Sequence, residues 1–258
     1  MNTPTPIRLV ADLGNSRLKL GRLGPGGALD ATVALPMDEP SAWAAALESW
    51  GGGNGARWAV STVNPPVAER LGRFIEEWAP SEVIWYRTAA EVPLANEVEG
   101  ADTGGSDRAL AVVAALARHG GEGPGLVVSC GTAITVERVA PSGSWQGGAI
   151  APSMKLAALA LRLGTAQLPL IQVNAVPESW GRSAEPAMAA GLFWGAIGTV
   201  RELLMRQTEG LEPSPWHVWS GGDAPLLAPW VDGPGALVVP ELVLEGVARV
   251  AFGCERGP

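Results

Sequence analysis

Asp12-Leu-Gly-Asn-Ser16, with Lys19 three residues on, is the first stretch whose residue types could do chemistry. It lies between Ile7–Ala11, a short apolar run, and Arg17–Leu23, which alternates polar and apolar residues, so it reads as the turn of a β-hairpin. Glycine at the apex, Gly14, lets backbone N–H groups approach an anion with no side chain in the way. Asn15 and Ser16 add donors, and Lys19 can neutralise a phosphate oxygen. Asp12 would repel phosphate but suits a hydrated Mg²⁺. The same string also makes a good hairpin turn for its backbone alone, so both readings stand at this point. Gly125–Gly131 followed by Ala133–Val139 makes a second hairpin, with Gly131 and Thr132 at its turn. Placing Gly131 over Gly14 aligns the strands and sets Thr132 on Asn15 and Ser129 on Asp12. Val218–Asp223 likewise echoes Ala59–Asn64. The pattern fits two related α/β domains, each offering a glycine turn.

The elements that must carry these turns follow from periodicity and punctuation. Helices are expected over Ser41–Trp50, Val67–Trp78, Ser106–Gly120 and Ser183–Gly210, and strands over Arg57–Ser61 and Val83–Tyr86. Ser106 reads as an N-cap, with Asp107 in the first turn, where the helix N-terminus favours its ionised form. Asp107 is therefore either a plain first-turn acid or a carboxylate aimed at a substrate. Gly191, Gly195 and Gly198 share one face of this long helix and permit close helix approach, either within the chain or at a subunit interface. Trp145, Trp180 and Trp194 are expected in the core.

Composition narrows the field. The chain has 258 residues, 47% apolar and 17% charged, with 34 Gly and 22 Pro scattered without a period, which fits a mixed globular protein. A net charge of −8 lacks the basic footprint of a nucleic-acid binder. Two cysteines (Cys130, Cys254) and two histidines (His119, His217) exclude a disulfide scaffold and a thiolate or histidine metal centre. The longest apolar run, Ala109–Ala117, is too short to span a membrane. The N-terminus has no signal-peptide pattern, and no Walker loop occurs. A cytoplasmic protein is expected.

Taken in order, the blocks resemble the type III pantothenate kinases, also named after the Bvg accessory factor, of the actin/hexokinase/Hsp70 superfamily. They are Asp12–Lys19, Ser61–Pro65, Gly105–Arg108, Gly131–Thr135, Gly147–Pro152, Thr165–Pro169, Gly181–Ser183, Gly191 with Gly195, and Ser220–Asp223. The resemblance implies a duplicated α/β fold of two ribonuclease-H-like domains, 1–120 and 121–258, with a nucleotide cleft between them, and a homodimer. It implies ATP-dependent phosphorylation of the pantothenate hydroxyl to 4'-phosphopantothenate, the first step of coenzyme A biosynthesis. Carried over residue by residue, Asp12 organises Mg²⁺ through water. Gly14, Asn15, Ser16, Lys19, Gly131 and Thr132 bind ATP. Gly105, Ser106, Asp107 and Arg108 bind substrate, with Asp107 as the catalytic base, and Ala184 takes a further substrate-binding position. A primary alcohol attacking a γ-phosphate loses its proton late, so Asp107 serves more by orientation than by basicity.

The chain departs from the family pattern at four places. Val98 and Ala101 stand where the family has Tyr-x-x-Pro, and Ala184 stands for a threonine. Ser129 replaces an aspartate tied to a potassium or ammonium ion, and Glu137 replaces a further aspartate. These departures leave two alternatives to the kinase reading, a nucleotide-binding paralogue with an accessory role and a kinase for another small hydroxylated substrate.

Overall fold

Strict alternation in the first hairpin decides which residues meet. In β1 (Arg8–Leu13) and β2 (Leu18–Leu23), Leu9, Ala11, Leu13, Leu18 and Leu20 point to one face and enter a buried core. Asp12 and Lys19 are left on the opposite face as direct cross-strand partners. The computed structural model describes residues 6–51, 55–121 and 123–253 of the chain. Cys254 and the N-terminal Met1–Thr5 therefore lie outside the described residues.

β3 (Leu29–Leu35) extends the hairpin antiparallel, while β4 (Arg57–Thr62) and β5 (Glu82–Tyr86) add parallel strands, giving the order β3-β2-β1-β4-β5. α1 (Pro40–Ser49) buries Trp43 and Leu47 in the core of the β1–β2 apolar face. α2 (Pro65–Trp78) starts on two prolines, whose fixed φ suits the first helical positions. It turns Val67, Leu71 and Ile75 inward and leaves Glu69, Arg73 and Glu76 exposed. α3 (Ser106–Arg118) follows a 3-10 turn at Ala89–Glu91.

The second unit repeats the plan. β6 (Gly125–Cys130), β7 (Ala133–Val139), β8 (Trp145–Pro152) and β9 (Trp216–Ser220) form a sheet ordered β8-β7-β6-β9, three strands antiparallel and the fourth parallel. A parallel bridge from Trp219 to Val238 stands where the first sheet has its fifth strand. Register supports the duplication, because Asp12 pairs with Ser61 as Ser129 pairs with Ser220. The second turn is one residue shorter, since Leu13 faces Leu18 but Cys130 faces Ile134. α4 (Met154–Gly164), α5 (Ala184–Thr208) and α6 (Ala224–Val231) supply Met154, Phe193, Ile197 and Leu227 to a core with Leu126, Val128 and Cys130.

The expected division at 120/121 placed the C-terminal residues with the second domain. Packing instead assigns Glu241–Pro258 to the first unit with Met1–Gly120, and leaves Gly121–Pro240 as the second. The last helix, α7 (Leu242–Phe252), explains this. At Gly246 a Cβ would fall 2.2 Å from the carbonyl oxygen of Leu110, so only glycine lets α7 lie so close to α3. Arg118 of α3 grips Glu245 with both Nε and Nη2, and Leu244 reaches the face of Gly21 and Val10.

Three further expectations change. The helix predicted over Ser41–Trp50 starts at Pro40 with Glu39 as its cap. Gly191, Gly195 and Gly198 face open space and make no close helix approach among the described residues. Trp145 is in the core, but Trp180 is 69% exposed and Trp194 is only partly buried.

Candidate active site

In the first unit the site grows from the ends of β1 and β2. A Cβ on Gly14 would meet only the Arg17 carbonyl oxygen, at 3.8 Å, and Asn15, Ser16 and Arg17 are exposed, so the turn presents backbone and donors outward. Asp12 behaves differently from these neighbours. Its Oδ1 is shielded from solvent and has no hydrogen-bond partner among the described residues. Burial first, then the nearby Asp107 and Glu241 carboxylates, push the Asp12 carboxyl up to about 7, with Lys19 pulling the other way. A shielded carboxylate oxygen without a donor is a costly arrangement that a cation relieves. Among the described residues no group of three or more ligating side chains forms a ready-made metal cage. A single carboxylate suits Mg²⁺, which keeps much of its water and takes its remaining ligands from phosphate.

Asp107 enters from the N-terminus of α3. The N-cap is Gly105, not Ser106, and it makes no side-chain cap. A Cβ on Gly105 would lie 2.5 Å from Asp107 Oδ1, so the glycine clears the space that the carboxylate occupies. Asp107 Oδ1 also accepts the Arg108 backbone N–H at 2.9 Å. Ser106 is fully buried, and its hydroxyl donates to the Tyr86 carbonyl at 2.9 Å and meets Ser61 Oγ at 3.0 Å. It ties α3 to the ends of β4 and β5 and is not exposed to a substrate. A cavity of about 830 Å³ runs along α2 and β5 to Thr103, Gly104 and Gly105, and Arg73, Arg87 and Trp85 line it. Neither Asp107 nor Arg108 lines it. Glu241, one residue before α7, had no role in the sequence reading. Its Oε2 lies 3.7 Å from Lys19 Nζ.

In the second unit Gly131 and Thr132 stand at the β6–β7 turn, with the Thr132 carbonyl accepting the Ser153 hydroxyl at 2.7 Å. Ser153 also caps α4 by accepting the Leu156 N–H, which links the turn to that helix. Gly221, at φ 92°, lies against the Cys130 backbone, where a Cβ would meet the Cys130 carbonyl oxygen at 2.4 Å. The Asp223 N–H donates to that same carbonyl at 3.0 Å. Ser220–Asp223 thus backs the Gly131 turn, a partnership the motif alone did not assign. Glu137 is buried and accepts the Trp145 indole N–H at 3.0 Å. Ala184 is the exposed first residue of α5.

The family model described as type III pantothenate kinase matches residues 8–206. The type III pantothenate kinase of Alkalilimnicola ehrlichii is 37% identical over 95% of this chain and 98% of its own length. That of Acidiphilium cryptum is 32% identical over 95% and 94%. The chain belongs to the type III pantothenate kinase family. Solved structures agree on the fold of this family member. A Baf family protein from Campylobacter jejuni superposes with a TM-score of 0.61 at 19% identity, covering 95% of this chain and 98% of that one. The ethanolamine utilization protein EutJ of Carboxydothermus hydrogenoformans gives 0.52 at 16%, covering 97% and 92%. The fold is that of the actin-like ATPases, two ribonuclease-H-like units as the resemblance implied. The family match stops before α6 and α7, so Glu241 lies beyond it.

Proposed function

We propose that the chain transfers the γ-phosphoryl group of ATP to the primary hydroxyl of pantothenate, in the cytoplasm and as a homodimer. The observation that carries this reading is the shielded, donor-less Oδ1 of Asp12 beside Asp107, inside the blocks that the family match spans. Gly14, Asn15, Ser16 and Lys19 supply phosphate donors on the first hairpin, and Gly131 and Thr132 are the matching positions of the second unit's own turn. Asp12 is the residue that would hold a hydrated Mg²⁺, which when bound neutralises β- and γ-phosphate oxygens. Asp107 accepts the hydrogen bond of the substrate hydroxyl and aims its lone pair at phosphorus. As the new P–O bond forms and the bond to the leaving ADP breaks, the hydroxyl proton passes to Asp107. Arg108 lies beside Asp107 as a donor to substrate, while Ser106 serves by anchoring α3.

At the second hairpin Ser129 is neutral and Glu137 is turned to Trp145. Neither offers the carboxylate that would favour potassium or ammonium, so the reading includes no monovalent-cation requirement. The homodimer rests on α4, where Met154 and Ala158 turn inward while Leu156, Leu159 and Leu163 remain exposed.

The test is ATP consumption with and without pantothenate, for wild type and Asp107→Asn. The substitution keeps the shape and removes the proton acceptor, so kcat should fall by about 10²–10⁴-fold with the KM for ATP little changed. An unchanged kcat removes Asp107 from the mechanism. Wild type that consumes no ATP with pantothenate refutes the proposed reaction.

A further inference from the structure

The face of the first hairpin that carries Asp12 and Lys19 is the one α7 packs on, and the charges of Asp107 and Glu241 are felt there. Asp12 and Lys19 are cross-strand partners. Asp107 arrives on α3, and Glu241 arrives where the chain enters α7. Glu241 Oε2 lies 3.7 Å from Lys19 Nζ, too long for a hydrogen bond but well inside Coulombic reach. That oxygen, like Asp12 Oδ1, is shielded from solvent and accepts no hydrogen bond among the described residues. Asp12 and Glu241 therefore each keep a shielded, donor-less oxygen, the first on the cross-strand partner of Lys19 and the second at ion-pair range from its ammonium.

Phosphates would bring further negative charge to this face. Glu241 adds one negative charge beside Lys19, so the ammonium is already engaged when a bare triphosphate arrives. We propose that Glu241 is a specificity residue that makes the first hairpin accept a triphosphate only together with a divalent cation. The proposal rests on the nucleotide reading of this hairpin given above. Two constraints hold Glu241 in place, the Gly246 contact with Leu110 and the Arg118–Glu245 pair, so its position is built into the packing of α7 on α3.

The test is calorimetric titration of the full chain with ATP in excess chelator and with Mg·ATP, giving a ratio of two affinities. In Glu241→Gln that ratio should narrow by about tenfold, mainly through tighter binding of metal-free ATP, the size of effect one solvent-screened unit charge has over a few ångströms. Mg·ATP affinity should stay within about twofold, and Glu241→Asp, which keeps the charge, should restore most of the wild-type ratio. Metal-free adenosine, which carries no phosphate, should bind both proteins alike. If Glu241→Gln does not fold, Glu241→Ala must show the same narrowing. A wild-type ratio in a folded, Mg·ATP-binding neutral variant overturns the proposal and leaves the nucleotide site standing. Wild type that binds neither form of ATP overturns the nucleotide reading, and the proposal with it.

Discussion

Asp12 is held where its charge is expensive, and this links the site to stability. Its carboxyl is raised from 3.8 to about 7, by burial first and then by Asp107 and Glu241. Between those values the folded chain binds a proton that the unfolded chain has released, so unfolding free energy falls as pH rises across the window. The metal-free protein should melt a few degrees lower at pH 8 than at pH 5.5, and Asp12→Asn should flatten that slope. Melting curves in chelator at several pH values check this, and an equal slope in the variant would show that Asp12 is not the group responsible. Asp232 works in the opposite sense. The His217 and Trp219 hydrogen bonds hold its carboxyl below the usual range, against the pull of burial. Its contribution is present above the ordinary carboxylate pKa and is lost as pH falls through its lowered folded-state value. At this scale the first hairpin was legible because period-two alternation and a glycine turn are local signals. Ser106 was misread as a cap because a serine at a helix start serves equally well as a buried anchor. Only the partners Tyr86 and Ser61, brought in by the sheet, decide between the two.

Packing of α7 on α3 is the element-scale feature on which the first unit depends. Gly246→Ala would drive a Cβ into the Leu110 carbonyl, and backbone cannot yield as a side-chain tip does. The expected cost is about 1–3 kcal/mol, the range for overpacking a close contact. Because Asp107 sits in the first turn of α3 and Glu241 just before α7, the same substitution should also weaken Mg·ATP binding. Differential scanning calorimetry and titration on one preparation measure both. A variant as stable as wild type would show that the helices can separate at little cost. The sequence offered no local sign of this contact, since a single glycine in an apolar helix reads only as a weak helix former. β3 and β8 were also missed. β3 follows a Gly/Pro loop and is half-exposed along its length. β8 carries two glycines and ends in proline, so its strand character comes from pairing with β7 and not from intrinsic preference.

For the whole molecule, duplication explains why the two turns were visible together and why the C-terminal segment was placed wrongly. The copies share strand order and register, so a linear split at residue 120 looked complete, while the return of α7 to the first unit depends on contacts distant in sequence. A different surface argument bears on assembly. Within the second unit, Ile150, Leu156, Leu159, Leu163, Leu170, Val176 and Trp180 are all exposed, and they fall within one stretch of about thirty residues. Leu156, Leu159 and Leu163 share the outer side of α4, whose inner side already carries Met154 and Ala158. A helix apolar on both sides needs a second covering, and a patch of this kind usually marks an interface. Gly191, Gly195 and Gly198, which face open space among the described residues, fit the same conclusion. With a chain mass of 26.6 kDa, sedimentation at micromolar concentration should give twice that value for wild type. Leu163 is 76% exposed, so Leu163→Glu should leave the fold of the single chain intact. It would set a charge into the buried interface, where an unpaired carboxylate costs several kcal/mol, and the variant should sediment as a monomer. Wild type that is monomeric at these concentrations, or a fully dimeric Leu163→Glu, would mean that this face is not what joins the copies.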